Sequence, residues 1–77
     1  MPIYIITARI YIDGKKYNRH VFPFYYEGKE KAQKAMLLYI ENDKNLGFNV
    51  VDDHSSEKDG ILYDYQIMKL EFDQIYA

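Results

Sequence analysis

A single stretch of this chain has helical periodicity: GKEKAQKAMLLYIENDK, from Gly28 to Lys44. On a helical wheel, Ala32, Ala35, Met36, Tyr39 and Ile40 fall on one side at the i, i+3, i+4, i+7, i+8 spacing of a core-facing stripe. Glu30, Lys31, Lys34 and Glu41 fall opposite. The interior lacks Gly and Pro and is rich in Ala, Leu, Met, Lys and Glu, all good helix formers. The start is weakly marked, because Glu27-Gly28 places no Ser, Thr, Asp or Asn at the N-cap. Asn42, Asn45 and Gly47 offer a left-handed stop, with Leu46 and Phe48 able to fold back on the last turn. Leu37 and Leu38 flank the polar face. Either a sheet edge or the chain terminus covers them, or they form part of a partner surface. The first reading is preferred, since scattered exposed leucines are common.

The segments on either side of this helix read as strands. Residues 3–12, IYIITARIYI, are almost all β-branched or aromatic, with Arg9 the only charge. Tyr4, Ile6, Ala8, Ile10 and Ile12 make the cleaner apolar face. The odd face is also half apolar, which predicts a central strand. Asp13-Gly14 is a strong hairpin signal. The return strand, residues 16–26, carries its apolar set at Phe22, Phe24 and Tyr26. A two-residue loop would pair even positions with odd ones. A three-residue connection, with Gly14 left-handed and a bulge, restores the match and is the expected form. Pro23 cannot donate to a ladder and places this strand at an edge. After the helix, residues 47–52 read as a short strand and 52–60, DDHSSEKDG, as a polar loop. Residues 61–72 read as a long strand. Its apolar phase shifts near Ile67-Met68, which predicts a bulge or bend there.

The expected fold is therefore a single small α+β domain spanning residues 1–77, in the order ββαββ. Four mostly antiparallel strands form a sheet, with one helix packed on one face. One helix covers only part of such a sheet.

Composition narrows the function. The chain has 77 residues, so it holds one small core, and its stability is marginal or shared with a partner. Cysteine is absent, which excludes a disulfide framework, a cysteine-ligated zinc site and a thiol nucleophile. The absence of such staples favours a reducing, cytoplasmic setting. The first ten residues lack the basic region and cleavage site of a signal peptide, and no apolar run reaches membrane-spanning length.

Catalytic and ligand-binding signatures are weak. The glycines at 14, 28, 47 and 60 are isolated and build no phosphate cradle. Asp52, Asp53, His54, Glu57 and Asp59 cluster, but without the alternate spacing of a calcium loop, so a solvated acidic loop is the preferred reading. Ser55 or Ser56 with His54 or His20 would lack an orienting shell. No enzyme activity, cofactor or metal is expected.

Charge and tyrosine content point instead to binding. Residues 1–34 hold seven Lys and Arg against three acids, a balance of +4. Residues 35–77 hold three Lys against nine acids, a balance of −6. One candidate surface is acidic: Asp52, Asp53, Glu57 and Asp59, joined by Glu41 and Asp43 if the third strand turns back along the helix. The nine tyrosines exceed what a core of this size buries. Tyr11, Tyr17, Tyr63 and Tyr65 are candidate partner contacts, because Tyr offers rigid area and a hydrogen bond. The other candidate is basic: Arg9, Lys15, Lys16 and Arg19 on the first hairpin, interleaved with Tyr11 and Tyr17, in position to hold phosphates and stack bases. The overall pI of about 5.6 weighs against nucleic acid. Alternatively, Arg9 and Arg19 pair with Asp64, Glu71 or Asp73 across the sheet.

In general style the chain resembles the small accessory proteins of bacterial viruses and mobile elements, anti-CRISPR proteins among them. It is tiny, cysteine-free and rich in Tyr, Ile, Lys and Asp. The resemblance rests on no motif and carries no residue across. It implies an inhibitor or adaptor that binds a larger host protein or protein complex. The leading expectation is thus a small non-enzymatic protein-binding module, an inhibitor of a nucleic-acid-handling host protein. The alternative is a small, dimeric nucleic-acid-binding or regulatory protein that uses its basic first hairpin. A structural homodimer in which the two charged halves meet between copies is a third.

Overall fold

A computed structural model describes residues 2–71. The elements are β1 (Ile3–Ile12), β2 (Lys15–Tyr26), α1 (Lys29–Asn45), β3 (Asn49–Asp52), β4 (Ser55–Lys58) and β5 (Ile61–Leu70). They form one antiparallel sheet in the order β2-β1-β5-β4-β3, with α1 across one face. The α+β class and the single helix agree with the sequence. The sheet has five strands where the sequence predicts four, and the order is ββαβββ.

The fifth strand lies inside the expected polar loop. Asp59-Gly60 repeats the Asp13-Gly14 solution: Asp59 and Gly60 have φ of 52° and 82°, Asp13 and Gly14 of 51° and 81°. Two consecutive left-handed residues match the twist of the flanking strands. The two turns lie side by side, and the Asp13 amide donates to the Gly60 carbonyl at 2.8 Å.

β1 is interior, flanked by β2 and β5, as its two-faced apolarity predicts, and β2 is an edge. The hairpin between them differs in detail from expectation. Its loop has two residues, with Ile12 opposite Lys15, and Gly14 is left-handed as expected. Even-to-even pairing returns through a register shift in which Tyr11 faces Lys16 but Ile10 faces Asn18. A second shift, between Ile5↔Tyr25 and Thr7↔Val21, absorbs Phe22-Pro23-Phe24. β5 pairs with β1 without interruption from Ile61 to Leu70, so no bulge occurs at Ile67-Met68. The apparent phase change there is two-sidedness: Tyr63, Tyr65 and Ile67 turn to the helix, Met68 and Leu70 to the other face. Phe72 and the proposed partner Asp73 lie outside the described residues.

The core is small. Ile6, Ala8, Ile40 and Tyr65 are buried together, with Phe22, Tyr26, Ala35, Met36, Tyr39, Tyr63 and Ile67 packed around them. The predicted helical stripe supplies the helix side. α1 starts at Gly28 with no side-chain cap. It ends in a Schellman motif: Phe48 N donates to Asp43 O at 2.9 Å and Gly47 N to Lys44 O at 3.0 Å, with Gly47 at φ 94°. Leu46 stays exposed there, and Phe48 stacks on Tyr63 with ring centroids 5.3 Å apart.

Candidate functional site

The second face of the sheet is the one that α1 leaves uncovered, although Thr7 at its centre is buried. Among the described residues, no helix or strand packs against it. Side chains alternate along a strand, so Ile3, Ile5, Thr7, Arg9 and Tyr11 of β1 point to it. Register with β5 sets them opposite Leu70, Met68, Gln66, Asp64 and Leu62. Register with β2 sets Ile5, Thr7, Arg9 and Tyr11 opposite Tyr25, Val21, Arg19 and Lys16.

These rows divide the face into two zones. At one end, Tyr25, Ile5 and Met68 lie in a row beside Ile3 and Leu70, with Val21 next in line. Val21 is 53% exposed and Tyr25 66%. At the other end, Arg19, Arg9, Asp64 and Ser55 cross the sheet in one row, followed by Lys16, Tyr11, Leu62 and Glu57. Arg9 and Arg19 are cross-strand partners, and no carboxylate among the described residues reaches ion-pair distance of either. The expected pairing with Asp64 is therefore present in register but not as an ion pair. The Arg9 Nε and the Thr7 Oγ1 are buried without a hydrogen-bond partner among the described residues.

Asp64 is engaged on its other side. His54 Nδ1 lies 2.9 Å from Asp64 Oδ1 and 3.5 Å from Asp52 Oδ1. The hydrogen bond to Asp64 raises the imidazole pKa above its ordinary value, burial opposing and the Asp52 charge assisting. The Ser55 hydroxyl donates to Asp52 Oδ1 at 2.6 Å and the His54 amide donates to the same oxygen at 3.0 Å. These two bonds, the Ser55 hydroxyl foremost, lower the Asp52 pKa. The dyad borders an open depression of about 520 Å3, also lined by Met36, Gln66 and Ile67, where β4 ends and, among the described residues, β5 continues with no strand on that side. An imidazole oriented by a carboxylate can hold and pass a proton. The nearest hydroxyl in sequence, Ser55, is already committed to Asp52. Asp52, Asp53 and His54 bring one ligand atom each within 4.8 Å of one another, all exposed, which is the only such grouping among the described residues.

The acidic candidates do not form one surface. Asp52 and Asp53 lie at the β3–β4 turn, Asp59 at the β4–β5 turn, and Glu57 on the strand between. Glu41 is exposed on α1. Asp43 is not a surface residue: it is 7% exposed, and its Oδ2 accepts from Ser56 Oγ at 2.8 Å and Tyr65 Oη at 2.5 Å. Tyr65 is likewise core. Burial, then the Asp43 contact, pushes its hydroxyl pKa far up. Tyr63 is half-buried against Phe48, Tyr11 is half-buried on the second face, and Tyr17 is exposed. Of the basic candidates, Arg9, Lys16 and Arg19 share the second face, whereas Lys15 pairs with Ile12 on the helix side.

Sequence reasoning did not single out Asp64, Val21 or Tyr25 as site residues. Val21 and Tyr25 were legible as odd positions of an edge strand. The His54–Asp64 contact depends on β4 and carried no local signal. Comparison with protein-family models, with curated proteins and with solved structures finds no match in any of the three.

Proposed function

We propose that this chain is a non-enzymatic protein-binding module that docks a larger protein through the apolar zone of the second sheet face and the adjoining β2 edge. The observation that carries this reading is the exposure of Val21 and Tyr25 beside Ile5, Met68, Ile3 and Leu70. Aromatic and aliphatic groups at such density on one open face mark an interaction surface. Side-chain packing, not continuous strand addition, is the mode, because Pro23 and two register shifts interrupt the β2 edge. The polar row Arg19–Arg9–Asp64 then forms a rim that sets orientation.

The test is capture from bacterial lysate with immobilised protein, with and without nuclease. A stoichiometric protein retained after nuclease, and lost with Val21→Lys plus Tyr25→Lys, is the expected result. Retention by that variant would remove the apolar zone from the reading.

A second reading, binding of nucleic acid, is favoured by one observation: Arg9 and Arg19 stand side by side with no carboxylate of the described residues in ion-pair range, next to Lys16 and Tyr11. It predicts that Lys16→Glu plus Arg19→Glu abolishes binding of a single-stranded oligonucleotide and that wild-type binding has a steep salt slope. Undiminished binding by that variant would exclude it.

A further inference from the structure

A second cavity, of about 390 Å3, lies on the helix side of the sheet, beyond the end of α1. It exists for two local reasons. The Schellman motif stops the helix short of the Ile10 end of β1, and Ala8, between His20 and Tyr65 in register, is too small to fill the space. The walls are the rings of His20, Phe22, Phe48, Tyr63 and Tyr65, with Ile10 and Leu46 beside them. Asp43 also lines the cavity, and is the only carboxylate to do so.

Asp43 is poorly placed for a buried carboxylate that has no counter-charge. It sits in the last turn of α1, where the helix dipole is negative. Its two donors are neutral hydroxyls, both on Oδ2, and Oδ1, with no hydrogen bond among the described residues, keeps some access to solvent. No Lys, Arg or His among the described residues lies within ion-pair distance. Lys58, which approaches the Phe48 ring at 5.8 Å, is tied instead to the Leu46 carbonyl at 3.0 Å. A buried acid is costly unless paired. Aromatic faces attract cations, most strongly where water is excluded.

We infer that this cavity is a binding site for an organic cation, an ammonium or guanidinium group on a short alkyl stem. The charged head pairs with Asp43 against the faces of Phe48 and Tyr63, and the stem lies along the remaining aromatic wall. The volume lies within the range of small-ligand sites. The same chemistry is offered by a free amine and by a Lys or Arg side chain of a partner. The inference does not depend on the second sheet face binding a protein.

The experiment is titration of the full chain with agmatine, n-butylamine and uncharged pentan-1-ol, followed by NMR of the aromatic ring signals. Both cations should shift Phe48, Tyr63 and Tyr65 saturably, and bind about tenfold more tightly than pentanol. Equal binding of pentanol, or no shift with either amine, overturns the inference. A parallel titration with the capped peptide Gly-Arg-Gly separates the sources. Binding as tight as agmatine's identifies a partner side chain, and binding of agmatine alone identifies a free cation. Asp43→Asn should abolish the preference for charge. Because Asp43 also holds Ser56 and Tyr65, Phe48→Leu is the second variant; it leaves those bonds in place and should weaken agmatine about tenfold. Unchanged agmatine affinity in Phe48→Leu also overturns the inference.

Discussion

Tyr65, in the middle of β5, donates its hydroxyl proton to Asp43, in the last turn of α1, across 2.5 Å. Ser56 of β4 donates to the same carboxylate oxygen at 2.8 Å. One buried acid thus ties the helix to two strands, one of which has no apolar side chain of its own.

Tyr65→Phe leaves Asp43 with one donor. Hydrogen bonds to a charged group contribute about 1.5–3 kcal/mol, so a stability loss of about 2 kcal/mol is expected in urea denaturation. Ser56→Ala should cost a similar amount. The double variant should depart from additivity, because both donors share one oxygen. Strict additivity would show that the two bonds are energetically independent.

The His54–Asp64 contact makes stability depend on pH with a defined sign. The folded pKa of His54 is raised above the ordinary 6.5. The protonated imidazole is therefore favoured by folding, and its contribution is fully present below the unfolded pKa and lost as pH rises through the folded one. His54→Gln should lower the melting temperature at about pH 5 and have a smaller effect at about pH 9. The effect is modest, since the ring is half exposed. A larger loss at the higher pH would reverse the assignment.

Ile5 and Ile6 are adjacent but lie on opposite faces. Ile6 is fully buried beneath α1. Ile6→Ala should cost about 2–5 kcal/mol, most of the stability of a domain this size. Ile5→Ala, on the second face, should cost clearly less. Chemical denaturation of the pair checks the register of β1, and equal losses would contradict it.

Gly47 ends α1 at φ 94°. A Cβ there would meet only the flexible tip of Lys58, at 3.4 Å, so the cost of Gly47→Ala is conformational. About 1 kcal/mol of destabilisation is expected in thermal or urea unfolding. An unchanged midpoint would mean that the helix end does not need the left-handed residue.

Val21→Lys plus Tyr25→Lys should leave the unfolding midpoint nearly unchanged, because exposed substitutions shift stability by about 0.5 kcal/mol or less. A large loss would mean that these side chains serve the fold and not a partner.

The helix, the central strand, the edge strand and the first hairpin were legible because each rests on local signals: the stripe Ala32 to Ile40, the two-faced run of Ile3–Ile12, Pro23, and Asp13-Gly14. β4 was not legible, although Asp59-Gly60 repeats the turn dipeptide. Ser55–Lys58 has no apolar alternation, and Ser56 is buried by a hydroxyl–carboxylate bond instead. Asp43 was read as surface from its charge, yet it continues the helical stripe at i+3 from Ile40 and i+4 from Tyr39. Periodicity placed it correctly where residue type did not.

The sequence by itself determined α1 and the strands β1, β2, β3 and β5, since backbone preference and hydrophobic period act within a few residues; β4 lay outside its reach. Only the tertiary structure decided that Arg9 faces Arg19, that His54 meets Asp64, and that Asp43 closes on Ser56 and Tyr65 beside an aromatic cavity. Those contacts follow from strand order and from a register set by three register shifts and three tight turns, where a slip of one residue would turn every side chain to the opposite face.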